Sequence, residues 1–175
     1  MRKNVFILVI SIGLTVASSV ESAAQYEAGD KLLNVGIGLG FSLGSGKSTL
    51  PPISLSYEHG FTDKISVGGF LGYAGSKVEN SLYKINYTYL MLGARGSYHF
   101  YVNNNIDAYG GVLLGYNILS SKIDPEPPIP ISTASSGLVY GFYVGGRYYF
   151  TEKIGAFAEL GYGISYVTVG LAVKL

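Results

Sequence analysis

The sequence predicts an all-β fold: an eight-stranded antiparallel up-and-down transmembrane β-barrel, preceded by a cleaved signal peptide. Three observations predict it. Apolar residues alternate with small or polar ones in segment after segment from Leu33 onward, which is the period of a strand whose two faces meet different surroundings. Hydrophobic residues make up 48% of the 175 and charged residues only 13%, about half the charged share of a usual soluble domain. Finally, no segment after the N-terminal leader offers the roughly 18 unbroken apolar residues that a membrane helix requires. An apolar chain without a spanning helix can still cross a membrane as a closed sheet, which satisfies its backbone groups internally.

The leader comes first. Arg2 and Lys3 form a positive start, Val5 to Ala17 form an apolar stretch of 13 residues, and Ser22-Ala23-Ala24 places small side chains at a cleavage site. Residues 1–24 are therefore expected to be a signal peptide and residues 25–175 the barrel, beginning at Gln25. A retained anchor is the competing reading, and the stretch is too short to span comfortably. Removing Arg2, Lys3 and Glu21 from 12 basic and 11 acidic residues leaves ten of each. That balance gives no reason to expect nucleic-acid binding. The absence of cysteine excludes disulfides, thiolate metal sites, cysteine nucleophiles and a lipidated N-terminal cysteine.

The first strand runs through Leu33, Val35, Ile37, Leu39, Phe41 and Leu43, with Asn34, Gly36, Gly38, Gly40 and Ser42 on the other face. The second, Ile53–Phe61, sets Ile53, Leu55, Tyr57 and Phe61 against Ser54, Ser56 and Glu58. Ile65–Tyr73, Tyr87–Phe100, Ile106–Ile118, Leu138–Phe150, Ile154–Tyr162 and Tyr166–Leu175 complete eight, each near or above the roughly 9–11 residues that cross a bilayer at a tilt. Thr62-Asp63-Lys64, Asn103-Asn104-Asn105 and Thr151-Glu152-Lys153 are short connections. Gly44–Pro52, Gly75–Lys84 and Leu119–Gly137 are long, and Gly163-Ile164-Ser165 is a short exception among them. Short turns alternating with long loops suit an up-and-down barrel.

Charge decides which face meets lipid, because Arg or Lys on the lipid side at mid-membrane costs about 2–4 kcal/mol. Turning Arg95, Arg147, Glu159 and Lys174 inward sends Leu92, Tyr98, Phe142, Val144, Leu160, Val169 and Leu171 outward. In each strand the charge and the apolar stripe select the same phase. Tyr57, Phe61, Tyr98, Phe100, Tyr148 and Phe150 fall at one edge of the apolar band, and Tyr73, Tyr116, Tyr140 and Tyr162 at the other. Such aromatic girdles suit rings that are apolar at one end and wet at the other.

Repeated strand endings carry a family resemblance. Gly93-Ala94-Arg95 with Tyr98-His99-Phe100 matches Gly145-Gly146-Arg147 with Tyr148-Tyr149-Phe150. Tyr109-Gly110-Gly111-Val112-Leu113-Leu114-Gly115-Tyr116 and Phe157-Ala158-Glu159-Leu160-Gly161-Tyr162-Gly163 have the matching up-going form. Over essentially the whole mature chain the sequence resembles the outer-membrane-protein β-barrel family, the small OmpA- and OmpX-type barrels. The resemblance implies residence in the bacterial outer membrane, contact with its lipid and insertion by its assembly machinery. It implies roles in membrane integrity, adhesion or anchoring of assemblies, none of which transfers residue by residue. The family usually ends on an aromatic residue that helps assembly, whereas this chain ends on Leu175, and no further peptidoglycan-binding domain is expected after it.

Glu58, Arg95, Arg147 and Glu159 all face inward on this reading. An eight-stranded lumen is just wide enough to be filled by side chains, and ions there need partners. A structural Arg–carboxylate network is expected, with Asp107 and Lys174 nearer the short-turn end; a proton path or narrow pore is the alternative. Parity sets His59 outward near the interface and His99 inward. The neighbours of His59 show no obvious outward Ser with an acid behind it, and two distant histidines lack a supporting acidic cluster, so no catalytic residue, metal site or cofactor is expected. Gly36-Ile37-Gly38-Leu39-Gly40 looks like a dinucleotide fingerprint but lacks the following helix, so its glycines are assigned to packing in the lumen. Asp124-Pro125-Glu126-Pro127-Pro128-Ile129-Pro130-Ile131 should be stiff and extended, a candidate partner-binding loop for an extracellular ligand or an ordinary solvent-facing one. The expected function is that of a non-enzymatic, monomeric outer-membrane protein serving envelope structure or surface interaction. A narrow small-solute pore is the runner-up, ahead of a lipid-modifying enzyme and a soluble lipocalin-like carrier.

Overall fold

The computed structural model describes residues 26–41, 47–79, 84–124 and 136–175. Their eight strands are β1 (Lys31–Phe41), β2 (Lys47–Thr62), β3 (Ile65–Glu79), β4 (Lys84–Asn103), β5 (Ile106–Asp124), β6 (Gly137–Tyr149), β7 (Ile154–Tyr162) and β8 (Ser165–Lys174). Each pairs antiparallel with its sequence neighbours, and β1 closes on β8 through a register running from Leu32↔Lys174 to Phe41↔Ser165. The result is a closed eight-stranded all-β barrel, in which each strand is paired on both sides through the common waist.

The sheet extends farther than alternation alone indicated. Of the expected connections Gly44–Pro52, Gly75–Lys84 and Leu119–Gly137, the described parts are largely strand, since β2 begins at Lys47, β3 ends at Glu79 and β5 reaches Asp124. Backbone pairing persists there although both faces are polar or mixed, so the period-2 hydrophobic signal fades while the ladder continues. The barrel is consequently lopsided: β2 to β5 have 15 to 20 residues, whereas β7 and β8 have 9 and 10. Pro51 and Pro52 sit inside β2, and the ladder with β1 stops at Ile37↔Ile53, because proline supplies no N–H to continue it. Leu43, the signal peptide with its cleavage site, and Pro125 to Ile131 of the proline-rich loop lie outside the described residues.

Around the waist of the barrel the outward face is greasy. Val35, Ile37, Leu55, Val67, Leu92, Val112, Leu114, Phe142, Leu160 and Leu171 are all exposed, as are the aromatics Tyr57, Phe61, Tyr98, Phe100, Tyr116, Tyr140 and Tyr148. Inside, space is scarce. At Gly68 and Gly170 a Cβ would run into the backbone of the adjacent strand, at Tyr57 and Val35 respectively, so only glycine lets those strands approach. Toward the long-loop end, Ala74, Tyr89, Met91, Leu113 and Ile164 form a buried apolar plug. Ile164 comes from the short β7–β8 turn, which folds its side chain into the lumen.

Candidate functional site

Between the apolar plug and the short-turn end the lumen is filled by ions. Glu58 on β2 and Arg147 on β6 project from opposite walls and meet, Oε1 to Nη2 at 2.7 Å. Arg147 also holds Asp107 on β5, Nη1 to Oδ2 at 2.7 Å, and its Nε donates to Asn34 on β1 at 3.2 Å. Arg95 on β4 binds Glu159 on β7 at 2.7 Å and approaches Glu58 at 3.5 Å. One residue from each of six strands is thereby tied into a single brace.

Neighbouring groups complete the hydrogen bonding that buried charge requires. Ser66 and Ser97 donate to Glu58 Oε2, and the Tyr109 hydroxyl donates to Glu159 Oε1 at 2.8 Å. The guanidinium of Arg95 lies 4.0 Å above the Tyr143 ring, and that of Arg147 lies 4.0 Å above Tyr109. A planar cation over an aromatic face is attracted by the ring quadrupole, more strongly where water is excluded. Glu58, Asp107, His99 and Arg147 are at most 2% exposed.

His99 joins the brace at the short-turn end. Its Nδ1 lies 2.6 Å from Asp107 Oδ1 and its Nε2 lies 2.9 Å from Ser66 Oγ. Ser66, His99 and Asp107 thus follow the order of an acyl-transfer relay. Two features separate them from a working nucleophile: Ser66 is fully buried, and its hydroxyl donates to Glu58 at 2.9 Å. His59 lies exposed on the outer face, with Lys31 and Val67 as its cross-strand neighbours.

Tyr26, ahead of β1, covers this end. Its ring stacks on His99 at 3.7 Å between centroids, and its hydroxyl reaches the carbonyls of Thr62 and Ile65 at 2.8 and 2.9 Å. Burial holds the Tyr26 phenol above its usual pKa, with Asp107 adding to the effect, so it stays a neutral donor. Gly29 enters a left-handed conformation (φ 93°) and exchanges backbone hydrogen bonds with the Gly60 region, Gly29 N to Gly60 O at 2.8 Å and Gly60 N to Asp30 O at 2.8 Å. Lys174 closes the same rim against Asp30 at 2.7 Å. A recess of about 510 Å³ outside Tyr26 is lined by Asp63, Lys64, His99 and Phe100.

All four residues expected in the lumen, Glu58, Arg95, Arg147 and Glu159, are therefore in one connected network. Asp107 belongs to it directly, whereas Lys174 sits at the rim. Sequence reasoning missed Tyr26, Asn34, Ser66, Ser97, Tyr109 and Tyr143. Strand parity was the available signal for the last five, since each shares the phase of a lumen charge on its own or an adjacent strand. Asp124 ends β5, while the rest of the proline-rich segment falls outside the described residues. Among the described residues, no group of three or more His, Asp or Glu side chains is placed to hold a metal ion.

Comparison with known proteins agrees with this architecture. The model of the outer membrane protein β-barrel domain family matches residues 9–170. The N-terminal β-barrel domain of Pseudomonas aeruginosa OprF superposes with a TM-score of 0.54 at 16% identity, covering 85% of this chain and 97% of that one. Ail, the attachment invasion locus protein of Yersinia pestis, gives 0.52 at 16% identity over 84% and 95%. The outer membrane protein OprG of Pseudomonas aeruginosa gives 0.57 at 13% identity over 90% and 99%. No curated protein matches the sequence.

Proposed function

Because the chain belongs to the outer membrane protein β-barrel family, and so resides in the bacterial outer membrane, we propose that it is a closed, non-enzymatic barrel serving envelope structure and surface interaction. Outer-membrane barrels put short turns in the periplasm and longer loops outside, so Tyr26 and the ion brace lie toward the periplasm and the tall β2–β5 wall rises from the cell surface. Lipid covers the apolar exterior, the assembly machinery inserts the chain, and the barrel works as a monomer. The loop from Asp124 to Ile131 is its candidate contact for an extracellular ligand. Ail, whose name records attachment and invasion, offers the same fold as a platform for such a role.

The observation that carries this reading is the cross-lumen contact of Arg147 with Glu58, backed on the outer side by the plug around Met91 and Ile164. The described residues cross the lumen with paired ions and stop it with apolar side chains, an arrangement suited to blocking water. Purified protein in planar bilayers is expected to give no steady single-channel current; steady currents would install the narrow-pore reading instead. Deleting residues 125–135 should weaken capture of a surface partner while leaving the barrel folded.

The relay-like order of Ser66, His99 and Asp107 is the one observation favouring an enzyme. Cells expressing the protein are expected to show unchanged lipid A. A changed lipid A that reverts in Ser66→Ala would assign the chemistry to that serine.

A further inference from the structure

We propose that the outside wall of β2–β5 carries a phosphate site for an outer-leaflet glycolipid, built from Lys47, Lys77, Asn86 and Lys122. Strand register places these residues in one row: Lys47 opposite Lys77, Lys77 opposite Asn86, and Asn86 opposite Lys122. Directly opposed residues share a face of a sheet. Lys77 is in phase with Val67, Leu71 and Tyr73, whose side chains are exposed on the barrel exterior. The row therefore looks away from the lumen.

Like charges directly opposite each other on neighbouring strands destabilise a sheet, and Lys47 faces Lys77 in that way. Glu79 answers only part of this charge, binding Lys77 Nζ at 3.1 Å and Lys84 Nζ at 3.3 Å. Among the side chains that the structure describes, no carboxylate forms an ion pair with Lys47 or Lys122. Glu79 also stands opposite Lys84, one row farther from the apolar belt. The row nearer the membrane holds three ammonium groups and one amide, and no carboxylate.

Height selects the anion. Below the lysines come the opposed hydroxyls of Thr88 and Ser120, then the apolar row Tyr73, Leu90 and Ile118. Tyr73 and Lys77 are four residues apart, about 13 Å along a strand and less across a tilted barrel wall. Acyl chains lying on the belt bring their headgroup phosphates to that level, and lysine stems extend along such a surface while their ammonium groups stay wet. Exposed ammonium groups hold a free ion poorly. A phosphate tethered by its own acyl chains arrives already localised, so the lipid is the source.

This inference rests on the orientation given under Proposed function, and the experiment separates the two. Lys122→Cys, in a chain that otherwise has no cysteine, should react with a membrane-impermeant maleimide on intact cells; absence of labelling would overturn the orientation itself. In micelles, the full-length protein is titrated with bis-phosphorylated lipid A, with dephosphorylated lipid A and with inorganic phosphate, and binding is read by native mass spectrometry. The wild type should prefer the phosphorylated lipid roughly tenfold, since each Lys near an anionic surface contributes severalfold. The triple variant Lys47→Gln, Lys77→Gln, Lys122→Gln should lose that preference while keeping folded gel mobility, and Lys64→Gln with Lys153→Gln should keep both. Equal binding of the two lipids by the wild type, a preference surviving in the triple variant, or equal binding of inorganic phosphate would each overturn the proposal.

Discussion

The ring of Tyr26 lies flat on the imidazole of His99, centroids 3.7 Å apart and planes 8° from parallel. A residue that precedes the first strand thus shields the short-turn end of the ion brace. Gly60 makes the contact possible, because a Cβ there would stand 2.8 Å from the Glu27 carbonyl and 3.0 Å from the Tyr26 hydroxyl.

Removing that cover should open the brace to water. In a His59→Asn background, which leaves His99 as the sole histidine, Tyr26→Ala is expected to speed modification of His99 by diethyl pyrocarbonate about tenfold or more. Mass spectrometry of the peptide checks it, and an unchanged rate would mean that Tyr26 shields nothing.

Arg147→Met should be among the most damaging single changes. It strips Glu58 and Asp107 of their 2.7 Å partner and leaves carboxylates buried with incomplete compensation. The expected loss is about 3–5 kcal/mol, read as a lower urea midpoint for the folded, heat-modifiable band in detergent.

Lipid contact predicts a depth dependence on the exterior of β5. Val112 is 66% exposed, the midpoint of the outward series from Ile106 to Ile118. Val112→Arg should cost about 2–4 kcal/mol in a bilayer, and Ser120→Arg near the outer rim about 0–1 kcal/mol. Equal costs at the two positions would contradict a lipid-facing belt.

Glycine at the β1–β8 seam is a steric requirement. A Cβ on Gly170 would collide with the Val35 carbonyl and the Phe157 ring, whereas one on Gly137 meets nothing within 4 Å. Gly170→Ala is expected to cost about 1–3 kcal/mol through overpacking. Gly137→Ala should leave the unfolding midpoint nearly unchanged.

Most of the barrel was legible because one force shapes both faces of each strand. Arg95, Arg147 and Glu159 must turn from lipid, and with period-2 alternation that choice orients every neighbour on the strand. The strand tips were not legible, since at Lys77 or Lys122 the outer face meets water or headgroups and the alternation weakens while backbone pairing continues. The inward position of Glu58 could be read from parity, but its pairing with Arg147, 89 residues away, depends on which walls oppose each other in the closed barrel. Tyr26 was beyond reach for another reason. It belongs to no strand, so no periodicity points to its place over His99.

The last strand, β8, hydrogen-bonds to the first along nine residue pairs, and Leu175 N still donates to the Lys31 carbonyl at 2.9 Å. Until β8 has been synthesised and delivered, both flanks of the ribbon carry unmatched amides, which hydrocarbon cannot satisfy. Closure then comes late, when the first and last strands of the barrel find each other. A version lacking β8 would wait as an aggregation-prone intermediate for proteases of the envelope to clear.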